Sequence, residues 1–124
     1  MRVPQVIHCK RVYDPPSRGD GYRVLVDRVW PRGIKKADLS YHEWCRELAP
    51  SAELRKWFGH DPQLWAGFCR RYHVELDARG AAVQGLVEAS AGRPLTLLYA
   101  ARDTEHNNAV ALKIYLEKLD ARAG

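Results

Sequence analysis

Two runs constrain this chain more than anything else in it: Val24-Leu25-Val26 and the stretch Leu95-Thr96-Leu97-Leu98-Tyr99-Ala100-Ala101. Both are almost continuously apolar. A strand with one wet face alternates apolar and polar residues, so a strand without that alternation is buried on both faces. Two such strands need a layer above and a layer below. They predict a layered α/β domain with a small, mostly parallel sheet flanked by helices. Residues 23–29 and 95–100 are expected to lie side by side, parallel and buried.

The rest of the chain supplies the layers. Pro4 to Val12 reads as a first strand, and residues 13–21, with two prolines and two glycines, as a loop. Tyr22 to Trp30 reads as the second strand, and Ser40 to Cys45 as a short third. Ser51 is placed to cap a helix that carries Leu54, Trp57 and Phe58 on one face and stops at Gly59. Asp61-Pro62 restarts the helical pattern, with Leu64, Trp65, Phe68, Tyr72 and Leu76 at helical spacing. A further helical stretch spans about residues 80–90, with Val83, Leu86 and Val87 apolar. Residues 109–119 read as a last helix after the 95–100 strand. No repeat or linker divides the sequence, so residues 1–124 are expected to form a single α/β domain.

Charge narrows the partners. The formal net charge is +5, and residues 1–36 hold nine basic against three acidic side chains, while the remainder is nearly balanced at eleven and twelve. Such an excess suits an anion, either a small phosphate- or carboxylate-bearing ligand or a nucleic-acid backbone. A merely solvated basic surface is the plainer alternative. Three scattered cysteines with no Cys-x-x-Cys pair do not make a disulfide framework and fit a reducing compartment. With no apolar run of membrane-spanning length and no signal-peptide pattern, a cytoplasmic location without membrane attachment is expected. Cys69 and His73 stand four apart but lack a second pair of ligands, which argues for a buried thiol and a surface imidazole over a metal site. No glycine-rich phosphate loop is present, so no cofactor is expected.

Ligands of layered α/β domains bind where strands end. Two strand ends here are polar: residues 26–33, Val-Asp-Arg-Val-Trp-Pro-Arg-Gly, and residues 101–108, Ala-Arg-Asp-Thr-Glu-His-Asn-Asn. If the strands are parallel neighbours, Arg28, Trp30, Arg32, Arg102, Asp103 and Asn107 converge at one edge. Arg28 and Arg32 are the expected anion holders, since a guanidinium fork matches carboxylate or phosphate. Trp30 would wall the pocket, and Asp103 and Asn107 would orient a ligand group or a water. The competing readings are a core Trp30, an Asp103 that only caps the last helix, and an Asp27 that is chiefly structural. His106 is positioned to act as a base but reads more simply as a surface histidine at a helix start. The resulting expectation is a binder of small anions, with hydrolase or transferase chemistry open. A nucleic-acid-binding accessory protein and a structural or interaction module are the alternatives. Oligomeric state is not legible.

Four stretches together, Gly21 to Lys36, Ala49 to Pro62, Phe68 to Leu76 and Leu95 to Leu116, resemble the YeaO-like family of small bacterial proteins, a branch of domain of unknown function 488. The resemblance covers nearly the whole chain, in order and at compatible spacing. It implies an α/β domain in a cytoplasmic bacterial protein and carries no activity with it. The wider family ends its last strand in a Cys-His-Arg stretch before the final helix. Here the corresponding region reads His106-Asn107-Asn108, so the resemblance does not extend to a cysteine nucleophile.

Overall fold

The computed structural model describes residues 3–123. Four strands, β1 (Ile7–Arg11), β2 (Tyr22–Leu25), β3 (Glu43–Trp44) and β4 (Leu95–Tyr99), form one sheet in the order β1-β4-β2-β3. Every neighbouring pair is parallel. Leu95 is in register with Ile7 on one side and Tyr22 on the other, so β2 and β4 end at the same edge. All five residues of β4 are buried. The adjacency expected from the two apolar runs is therefore present.

Alternation along the strands sorts the core into two clusters. Val24, Val26, Leu95, Leu97 and Tyr99 pack with the apolar stripes of α1 (Ala52–Phe58), α2 (Trp65–Asp77), α3 (Gly80–Ser90) and α4 (Asn108–Ala123). Leu25 and Leu98 point the other way, into a smaller cluster with Val12 and Leu39. Among the described residues, that second cluster takes no side chain from any of the four helices. Trp30, Ile34, Tyr41 and Trp44 pack against it instead, with the Trp30 ring edge-on to Tyr41 and Trp44 at 5.5 and 5.4 Å. The sheet is layered, but not flanked by helices on both faces as expected: the four helices cover one face and an aromatic loop closes the other.

The helix signals behave as physics dictates. Ser51 Oγ accepts from the Leu54 amide at 3.1 Å, and Gly59 ends α1 in the left-handed region at φ 54°. Ser51 also donates from its amide and hydroxyl to Glu75, tying α1 to α2. Asp61 Oδ1 caps the Pro62–Leu64 turn that leads into α2, accepting from Gln63. Phe68, Tyr72 and Leu76 form the buried stripe of α2. Trp57 departs from expectation. It lies 38% exposed, because the buried stripe of α1 runs through Leu54 and Phe58, and its ring instead stacks under the Arg71 guanidinium at 4.2 Å. Gly67 leaves room for that ring, since a Cβ there would meet it at 2.9 Å.

Cys69 and His73, expected as a buried thiol and a surface imidazole, are both half-buried. The Cys69 thiol is pushed above its ordinary range by burial. His73 is half-buried rather than a surface imidazole, with Nε2 2.9 Å from the Ala111 carbonyl. Among the described residues no cluster of His, Cys, Asp or Glu suits a metal, and no helix is long and apolar enough to cross a membrane.

One buried ionic cluster ties the sheet together. The Asp20 carboxylate accepts from Lys10 Nζ of β1 at 3.1 Å, from Arg23 of β2 and from the Ser17 amide. The Asp20 carbonyl accepts from Thr96 Oγ1 of β4 at 2.7 Å. Asp20 and Arg23 are each only 4% exposed. Gly21 follows at φ 63°, and any Cβ there would meet the Pro94 carbonyl oxygen at 2.0 Å, so the chain can enter β2 only through glycine.

Candidate functional site

The site begins with an interrupted ladder. The Val26 amide donates to the Leu98 carbonyl at 3.1 Å, as a parallel pair requires. The next bond of the ladder would run from the Ala100 amide to the Val26 carbonyl. It is replaced. The Ala100 amide donates to Asp27 Oδ2 at 2.9 Å, and the Val26 carbonyl accepts from Asn108 Nδ2 at 3.0 Å. Asn108 Nδ2 also donates to Asp27 Oδ1 at 3.0 Å. This is why β2 ends at Leu25 and not near Trp30. A side-chain carboxylate takes the place of the backbone, and the two strand ends splay around it.

A cavity of about 440 Å³ opens at this splayed edge. Asp27, Arg28, Trp30 and Arg32 line it from the loop after β2, Ala100 and Ala101 from the end of β4, and Asn107 and Asn108 from the start of α4. Four of the six residues expected from sequence, Arg28, Trp30, Arg32 and Asn107, are therefore brought together. Arg28 and Arg32 are exposed, and among the described residues neither side chain has a hydrogen bond or an ion-pair partner within 4 Å. Trp30 serves both of its readings, because it lines the cavity while its Nε1 donates to the Ile34 carbonyl at 2.6 Å within the aromatic loop.

Arg102 and Asp103 do not line the cavity. Asp103 Oδ1 collects the Glu105 and His106 amides at 2.9 and 3.0 Å, while Oδ2 meets His106 Nδ1 at 3.0 Å. The Glu105 and His106 amides and the His106 ring hold its carboxyl below the ordinary range. His106 is half-buried, with its ring edge-on to Trp65 at 5.3 Å. Asn107, 2% exposed, caps α4 by accepting from the Val110 amide at 3.0 Å and donates to the Asp103 carbonyl at 2.9 Å.

Asp27 is the residue whose place is clearest. Burial pushes its carboxyl above the ordinary range, against the Asn108 side chain, the Ala100 amide and the field of Arg55, which pull it down. Arg55 itself lines the cavity from α1, as do Phe58, His60 and, from α2, Phe68. Sequence reading missed these four, since Arg55 and Phe58 read as ordinary helix surface and helix core. Tyr13 closes the remaining side. Its hydroxyl donates to the Arg32 carbonyl at 3.0 Å, and its ring carries the Arg11 guanidinium at 4.8 Å. Chemically, the lining offers three guanidinium groups and one carboxylate beside aromatic side chains.

Comparison with known proteins places these features in a family. A profile described as "Inactive DUF488-N3 subclade" matches residues 6–123. The uncharacterized protein YeaO of Escherichia coli (strain K12) is 48% identical over 113 residues, which cover 91% of this chain and 98% of that protein. The uncharacterized proteins Mb3100c of Mycobacterium bovis and Rv3073c of Mycobacterium tuberculosis are each 39% identical over 106 residues, covering 86% of this chain and 89% of theirs. No solved structure matches the chain.

Proposed function

The chain belongs to the inactive DUF488-N3 subclade, and we propose that it binds a small phosphate- or carboxylate-bearing ligand in the cavity at the ends of β2 and β4, without turning it over. The charge of the lining carries this reading: Arg28, Arg32 and Arg55 face one carboxylate, and among the described residues none of the three has an ion-pair partner within 4 Å. Guanidinium groups left unpaired around a concave site are suited to an incoming oxyanion. The first turn of α4 adds a favourable dipole at the same edge.

Binding is favoured over hydrolase or transferase chemistry for a chemical reason. Among the described residues the lining contains no Ser, Thr, Cys or Lys, and its one hydroxyl, that of Tyr13, already donates to the Arg32 carbonyl, which leaves His60 as the remaining side chain of nucleophile type beside Asp27. Asp27 is the carboxylate at hand, and both of its oxygens already accept hydrogen bonds that hold the strand ends. The family's description as inactive agrees with this. A nucleic-acid role for the basic N-terminal third has less support. Lys10 and Arg23 turn onto Asp20, and Arg11 donates to the Ala100 and Ala101 carbonyls, so these cations do not form an open stripe.

Arg32 gives the test. Replacing it with alanine should change stability by no more than about 0.5 kcal/mol, as for other exposed sites. Inorganic phosphate, titrated at constant ionic strength, should raise the melting temperature of the wild-type protein and do so much less for Arg32→Ala. A protein with Arg28, Arg32 and Arg55 all replaced by alanine that responds to phosphate like the wild type would overturn the reading.

A further inference from the structure

Helix α1 ends without any help from His60. Gly59 supplies the left-handed residue that a helix stop requires, at φ 54°. His60 then repeats that backbone at φ 57°. The conformation is unfavourable for a residue with a Cβ and free of cost for glycine. Ala91, the other non-glycine residue with positive φ among those described, stands at the end of α3, where the stop itself accounts for it. At His60 the stop has already been made, and such outliers gather at functional sites.

The side chain carried on this backbone is an exposed imidazole in the lining of the cavity. His42, His73 and His106 each engage a ring nitrogen in a hydrogen bond, whereas the ring nitrogens of His60 have no such partner among the described residues. The titratable and charged groups that share the lining are Tyr13, Asp27, Arg28, Arg32 and Arg55. Asp61, next in the chain, is turned to the Gln63 amide, and His106 meets Asp103 outside the lining. An oxyanion held by the arginines brings negative charge to the cavity, and a nearby opposite charge favours the protonated form of an imidazole. We propose that His60 is a fourth anion-binding group of this cavity, beside Arg28, Arg32 and Arg55, and that the anion binds with uptake of a proton by its ring. The proposal rests on the anion-binding reading above and adds to it a contact residue and a proton.

Calorimetric titration of the whole chain with sulfate, at constant ionic strength, tests it. Sulfate keeps both of its charges over the range in which imidazoles titrate, about pH 5 to 8, whereas phosphate does not. Sulfate should bind the wild type about tenfold more tightly at the acid end of that range than at the alkaline end, the worth of one charge-assisted hydrogen bond. The heat of binding in mid-range should vary with the ionisation enthalpy of the buffer, as proton uptake requires. In His60→Asn, which suits a left-handed backbone and carries no charge, most of the tenfold difference should disappear. If His60→Asn keeps the whole difference, the proton sits elsewhere, with Asp27 the group at hand, and the proposal is overturned. If the wild type binds sulfate equally at both ends of the range, His60 is no contact and the arginine site stands. If sulfate binds at neither, the anion site falls and the inference with it.

Discussion

Replacing Asp20 with alanine should lower the stability of the domain by about 3 kcal/mol, because it leaves a buried guanidinium without its counter-charge. Arg23 is 4% exposed and loses its carboxylate partner, and Lys10 loses both oxygens it now reaches. The Arg23 Nε donation to the Ser40 carbonyl remains, but a carbonyl does not neutralise a guanidinium. The effect should depend on pH in a definite direction. Burial pushes the Asp20 carboxyl up, but the Ser17 amide and the Lys10 and Arg23 side chains outweigh it and hold the group below its ordinary value of 3.8. A carboxyl depressed in the folded state stabilises above its unfolded value, and that stabilisation disappears as the pH falls through the folded value. Denaturant unfolding of both proteins should therefore show the full difference at neutral pH and a shrinking one in acid. An undiminished difference well below pH 3.8 would mean that Asp20 acts through packing rather than charge.

What the sequence made legible follows from what is local. The absence of alternation in Leu95–Tyr99 fixed the burial of β4, and the Ser51, Gly59 and Asp61 signals fixed the helix boundaries near them, because each needs only neighbours within a turn. The length of β2 was not legible. Its end depends on Asp27 replacing a backbone acceptor, and that arrangement needs Asn108, 81 residues away. Arg28, Trp30 and Arg32 could be placed together at the cavity because they follow a strand whose neighbour could be inferred. Arg55, Phe58 and Phe68 were missed because helical periodicity reports which face is apolar, not whether that face ends over a core or over a cavity. Arg102 and Asp103, expected at the same edge, do not line the cavity, for a related reason. Polar residues after a strand serve either a ligand or the loop itself, and Asp103 spends its two oxygens on Glu105 and His106.

Asp27→Ala should separate the frame of the site from its charge. The substitution leaves the Ala100 amide without its acceptor and removes one of the two bonds of Asn108 Nδ2, at a cost of about 2 kcal/mol. Its pH dependence should run opposite to that of Asp20. Burial raises the Asp27 carboxyl above 3.8 in the folded protein, so its contribution is complete below that value and falls as the pH rises through the folded value. The difference between wild type and Asp27→Ala, followed by denaturant unfolding, should thus be greater near pH 4 than at neutrality. Anion binding should move the other way from stability. Removing the one carboxylate from a lining that holds three arginines makes the cavity more positive, so inorganic phosphate should bind Asp27→Ala more tightly than it binds the wild type at neutral pH. A variant that loses both stability and affinity would place Asp27 among the groups that position the ligand. One that gains affinity while it loses stability assigns Asp27 to the frame, with its charge opposing the anion that the frame is built to receive.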